Sequence, residues 1–340
     1  MNAIRATVFS LLCCCAMSVG AQGAAPDLGR ADAPDALEQE GSSSVHDQTV
    51  VKCGDRYYRF STGPGVQLAY SKDLVTWFSL GKVLQRNPEW TRSSVPGSSD
   101  FWAPEVVKMG DRYRMYYSVS TFGSNVSAIG MASNATLDPY SPDYVWADEG
   151  AVIESRRGDD FNAIDPAVAF DAEGVPWMAF GSFWSGIKLV RLDRETGKLA
   201  EPSAPRLSIA RRPDSVDAIE GAYILPKDGA YFLFASYDFC CRGVKSSYNI
   251  RVGRADSIAG PYLDREGKSM LEGGGTLLRE GGERYKGPGH NSILVVDGIY
   301  YLVYHAYDAK YAGQARARIE PLKWDSQGWP YVTGVGAGAR

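Results

Sequence analysis

From Val45 to about residue 330 the chain is a succession of short apolar and aromatic runs, each broken by Gly, Asp, Asn, Ser or Pro. Alternation with a period of two, bounded by turn residues, predicts β-strands, and no segment keeps a helical apolar stripe beyond two turns. One pattern returns five times. His46-Asp47-Gln48-Thr49-Val50-Val51 precedes Gly54-Asp55-Arg56-Tyr57-Tyr58, and Trp102-Ala103-Pro104-Glu105-Val106-Val107 precedes Gly110-Asp111-Arg112-Tyr113. Ile164-Asp165-Pro166-Ala167-Val168 precedes Glu173-Gly174-Val175-Pro176-Trp177, and Ile219-Glu220-Gly221-Ala222-Tyr223-Ile224 precedes Asp228-Gly229-Ala230-Tyr231. The last copy is Gly289-His290-Asn291-Ser292-Ile293-Leu294 before Asp297-Gly298-Ile299-Tyr300. In each, glycine beside an acidic residue marks the tight turn of a hairpin. Third strands follow at Val66 to Ser71, Ser127 to Ala132, Gly186 to Leu192, Tyr248 to Arg254 and Ala315 to Leu322.

A repeat of roughly 55 to 70 residues is the signature of a propeller or related array. The expected fold is all-β, a five-bladed β-propeller over residues 45–335. Inner strands of a propeller surround a central channel. The polar residues that open the repeats, Asp47, Glu105, Asp165, Glu220 and His290, are therefore expected to share one pocket.

The N-terminus changes the picture for part of the chain. Arg5, the apolar stretch from Thr7 to Met17 and the small residues Val19-Gly20-Ala21 read as a signal peptide over residues 1–21. The apolar run is too short to span a bilayer. A lipid anchor at Cys13 fits poorly, because Leu11-Leu12 precede it where small residues are needed. Residues 22–44, rich in Ala, Pro, Asp, Gly and Ser, read as a linker. The expected location is periplasmic or extracellular. Removing the signal leaves Cys53, Cys240 and Cys241, so at least one thiol stays unpaired. A bridge between adjacent Cys240 and Cys241 would close a small strained ring. No paired Cys or His spacing points to zinc.

A formal charge of −4 argues against nucleic acid or acidic polymers as partners. A neutral polysaccharide or oligosaccharide fits better, with no membrane partner and a monomer expected. Glycoside hydrolysis needs a carboxylic acid to protonate the leaving oxygen and a carboxylate to activate water or attack carbon. A third carboxylate can raise the acid's pKa. Asp47, Asp165 and Glu220 supply these from three repeats. Taken singly, Asp at a strand start is an ordinary turn residue; the recurrence in register is what marks a site. Loops 120–125, 181–186 and 238–243 combine aromatics with small polar residues, so Phe122, Phe183 and Trp184 become candidate sugar contacts, with Trp102 as a stacking platform. His46 and His305 read as hydrogen-bonding residues, and His290 as a channel residue.

At these residues the chain resembles glycoside hydrolase family 43, and within it the endo-1,5-α-L-arabinanases. The likeness is carried by His46-Asp47, Trp102-Ala103-Pro104, Phe161-Asn162-Ala163-Ile164-Asp165-Pro166, Phe183-Trp184, Ile219-Glu220, Cys240-Cys241-Arg242-Gly243 and Gly287-Pro288-Gly289-His290-Asn291. The resemblance implies cleavage of arabinan with inversion, Asp47 as general base, Glu220 as general acid and Asp165 as the group that tunes and orients it. It implies Asn162 as a substrate contact and a calcium ion near the channel centre, with His290 as its protein contact. Gln48 stands where the family usually has proline, Glu105 replaces the usual aspartate, and Gly221 sits where alanine is common. The rival readings are an exo-acting α-L-arabinofuranosidase or β-xylosidase on the same fold, and a sugar-binding propeller without catalysis. A retaining β-fructosidase would carry an Asn-Asp-Pro-Asn motif, which is absent.

Overall fold

The computed structural model describes residues 36–333, so the expected signal peptide and most of the expected linker lie outside the described residues. Its strands form five sheets, each built from consecutive strands of one repeat. The blades run Thr49–Lys82, Phe101–Ser155, Ala167–Ala210, Ile219–Arg279 and Tyr285–Tyr331, and within each the four strands pair antiparallel from the inside outward. The expected third strands are present at Gln67–Ser71, Ser127–Asn134, Ile187–Arg191, Asn249–Ala255 and Gln314–Trp324. Among the described residues the α-helix is a single short one, Glu89–Ser94, and no helix is long and apolar enough to cross a membrane.

The core is divided by topology. Alternation gives each inner and second strand two buried faces, so each blade packs against both neighbours. Tyr58, Phe60 and Leu68 of the first blade meet Val106, Met115 and Tyr117 of the second. Equivalent slabs join the second blade to the third, the third to the fourth, and the fourth to the fifth. Val50 and Tyr57 of the first blade meet Leu294, Tyr301 and Val303 of the fifth, which closes the ring.

The expected linker ends earlier than residue 44. Glu40–Gly41 adds a parallel strand to the outer edge of the first blade, beside Thr76 and Trp77. Leu37 and Ser44 bridge to Ile319 and Arg316 of the fifth blade. Gln39 is buried and accepts a 2.7 Å bond from Trp77 Nε1. A polar, turn-rich segment lacks the alternation that announces a strand. It is held here because two open edges supply partners for its backbone groups.

Candidate active site

The start of each innermost strand shows why some of the repeat-opening residues meet and one does not. Asp47, Ala103, Asp165, Gly221 and His290 all have positive φ, between 44° and 59°. Each turns the chain into the channel. Their backbone N–H groups are caught by the neighbouring blade: Ala103 by Thr62 Oγ1 at 2.9 Å, Asp165 by Ser118 Oγ at 2.9 Å, His290 by Ser236 Oγ at 2.7 Å, and Asp47 by His305 Nδ1 at 3.2 Å. The fourth blade differs. The matching position in the third blade is Gly181, whose N–H bonds Ile164 O and which has no side chain. Gly221 N–H goes instead to Asp165 Oδ2 at 3.2 Å. That substitution ties Asp165 to the residue next to Glu220.

The true register therefore corrects the expected ring. In the second blade the strand pairing shifts between Trp102 and Glu105. Trp102 faces the cleft, while Glu105 lies one layer deeper and is buried. Its carboxyl accepts from the Thr49 hydroxyl and from the Val168 backbone, yet burial pushes its pKa up to about 8. Glu105 is thus no part of the pocket, and its extra methylene bears on no sugar contact. Glu220 does reach the cleft, from the position before the positive-φ residue.

Asp47, Asp165, Glu220, Trp102, Asn162, Phe122, Phe183, Trp184 and His290 line one cleft of about 780 Å³, together with His46, Thr62, Ser182 and the Phe239-to-Arg242 loop. Phe122 is 84% exposed and Trp184 38%, so both stand free at the rim. Asn162 is buried, and its Oδ1 has no partner among the described residues. Cys240 and Cys241 form a disulfide within the wall, while Cys53 is a free thiol.

The carboxyls have opposite preferences. Burial alone would raise Asp47, but His290, whose Nδ1 is 3.3 Å from Asp47 Oδ1, and then His46 hold it far below the usual aspartate range. Thr62 donates a 2.7 Å bond to its other oxygen. Asp165 is pushed well above the aspartate range by burial, then by the charges of Glu220 and Asp47. Burial also raises Glu220, against hydroxyl donors Ser182, at 2.6 Å, and Tyr248. Asp165, expected to raise Glu220, is itself raised, and the charge of Glu220 is among the causes. Two buried carboxyls whose charges repel keep a proton between them where an isolated one would lose it.

His46, Asp47 and His305 bring one ligand atom each within 4.8 Å of one another, a group able to hold a metal ion. His290, the expected metal contact, is not in that group, though it faces the same Asp47 oxygen. His305 Nδ1 is engaged by the Asp47 amide, and burial drives this imidazole well below its ordinary pKa. Thr62, Ser118, Ser236 and Tyr248 are the site residues that sequence reasoning missed. A lone hydroxyl on a strand carries no signal of what it will hold.

The model of Glycosyl hydrolases family 43 matches residues 41–330. An extracellular exo-α-(1→5)-L-arabinofuranosidase of Cellvibrio japonicus is 44% identical over 298 residues, covering 85% of this chain and 86% of the relative. An extracellular endo-α-(1→5)-L-arabinanase of Bacillus subtilis is 44% identical over 291 residues, covering 84% and 87%. The solved endo-arabinanase of Bacillus licheniformis superposes with a TM-score of 0.81 at 45% identity, over 87% of this chain and 99% of that one. The protein belongs to glycosyl hydrolase family 43 and is a glycoside hydrolase.

Proposed function

We propose that the protein hydrolyses internal α-1,5-L-arabinofuranosyl bonds of arabinan with inversion of configuration. Glu220 is the general acid, Asp47 the general base, and Asp165 tunes and orients the acid. The observation that carries this reading is the opposite charge preference of Asp47 and of the Asp165–Glu220 pair inside one cleft. A base must enter the reaction ionised and an acid protonated. Glu220 gives its proton to the glycosidic oxygen, the bond to the anomeric carbon breaks with its electron pair going to that oxygen, and water attacks the opposite face while Asp47 takes its proton. Trp102, Phe183 and Asn162 line the floor, and Phe122 and Trp184 stand at the rim, where further sugar units would pass. Exposed aromatics at the rim suit a substrate that extends over more than one sugar unit.

The equal similarity to an exo-acting relative gives a second reading, release of single arabinose units. Product analysis on linear arabinan separates them. A spread of short oligosaccharides is expected; arabinose alone would establish the exo reading, and no product would leave a sugar-binding module. NMR of the first-formed anomer tests inversion.

We also propose that a hydrated calcium ion sits near the channel centre with His290 as its protein contact. The donor chemistry fits a mainly water-ligated hard cation, since His290 stands beside the ionised Asp47 carboxylate while nitrogen donors alone suit calcium poorly. Bound there, the ion would supply fixed positive charge near that carboxylate. Chelation is expected to lower the melting temperature and calcium to restore it; an unchanged melt with no metal by elemental analysis would sink the assignment. Export through the N-terminal segment is part of the same proposal, supported by relatives named extracellular.

A further inference from the structure

Glu220 is gripped by two hydroxyls from different blades, and the two are not equivalent. Ser182 Oγ, from the third blade, donates to Oε2 at 2.6 Å. The Tyr248 phenol, just ahead of the third strand of the fourth blade, donates to Oε1. Ser182 lines the cleft, whereas Tyr248 does not and is 2% exposed. The ring of Tyr248 lies flat against the fifth blade at Gly289, where an added Cβ would come within 2.1 Å of Tyr248 Cδ1. It also meets the ring of His305, the cross-strand partner of Gly289, at 6.1 Å between centroids. The buried ring is thus packed against the fifth blade while its hydroxyl reaches Glu220.

We propose that Tyr248 is a positioning residue for the acid: it holds Oε1 on the buried side, so that the transferable proton resides on Oε2, on the cleft side beside Ser182. The proposal rests on the reading of Glu220 as the general acid. When Oε2–H gives its proton to the glycosidic oxygen, negative charge appears on the carboxylate, and the Tyr248 hydroxyl is already aimed at it. A donor fixed before the reaction contributes most where charge develops. Burial keeps this phenol protonated far above its ordinary range, so it stays a donor throughout.

The test compares Tyr248→Phe and Glu220→Gln on two substrates: arabino-oligosaccharides, and an aryl glycoside whose phenol leaves without protonation. Tyr248→Phe is expected to lower kcat on oligosaccharides by roughly 10- to 100-fold with KM nearly unchanged, and to lose far less on the aryl glycoside. Glu220→Gln should show the same split, larger. Equal losses for Tyr248→Phe on both substrates, with the split kept by Glu220→Gln, would overturn the positioning role alone. Equal losses for Glu220→Gln would overturn the acid itself. A raised KM at unchanged kcat would make Tyr248 a binding residue and also overturn the proposal. Should Tyr248→Phe not fold, fluorotyrosine at 248 keeps the shape and alters only donor strength; it must change oligosaccharide kcat and spare the aryl substrate.

Discussion

At the scale of single residues, charge placement is the main result. Asp47 is held ionised by imidazoles, while Asp165 is held toward protonation by burial and then by the charges of Glu220 and Asp47, and Glu220 by burial. Neutralising one of the pair should lower the pKa of the other, because the like charge that raised it is gone. In Asp165→Asn the alkaline limb of the kcat/KM profile is therefore expected to move to lower pH, with activity down about 100-fold. A limb that stays or rises would contradict the pairing. Glu105 gives a stability prediction of the same kind. Its folded pKa of about 8 lies above the ordinary glutamate value of 4.5. Its contribution is fully present below 4.5 and is lost as pH rises through 8. Glu105→Gln should match the parent near pH 5 and exceed it by about 2–4 kcal/mol near pH 9. Denaturant midpoints at both pH values decide it; an equal difference at the two would show that the buried acid is not the cause.

At the scale of elements, the recurring device is a positive-φ residue whose amide is caught by the neighbouring blade. The hydroxyls of Thr62, Ser118 and Ser236 do this work. Ser236 has no exposed surface, so Ser236→Ala leaves the His290 N–H without a partner. A loss of about 1–3 kcal/mol in unfolding free energy is expected. A change too small to measure would mean that the amide finds another acceptor. The strands themselves were legible in the sequence, since alternation and the Gly-Asp turns mark them. Their inner ends were not. The positive φ falling on Ala103, two residues before Glu105, and a position without a side chain at Gly181 decide what stands in the channel and what holds it, and neither alters the alternating pattern.

At the scale of the whole molecule, each blade is made of consecutive strands, and among the described residues no sheet mixes the blades at the two ends of the ring. Closure depends on the apolar slab between the first and fifth blades and on residues 37–44, which touch both. Arg59 stacks over Trp77 at 4.5 Å beneath this segment. Deleting the chain through Ser44 would uncover both. The melting temperature is expected to fall by roughly 5–10 °C, with blades otherwise intact by circular dichroism. An unchanged melt would show that the slab alone closes the ring.

The sequence by itself determined that the chain repeats five times, that each repeat is a set of strands, and that Asp47, Asp165, Glu220 and His290 open their repeats. These follow from periodicity and turn chemistry, which are local. It could not determine that Glu105 drops out of the ring, that residues 37–44 are held, or that Tyr248 and Ser182 grip Glu220. Those depend on which blade lies beside which, and at what height. Residues far apart in the chain meet only after the ring has closed. The charges of the carboxyls belong to the same class, because burial and neighbouring charge set them, and both are properties of the assembled channel.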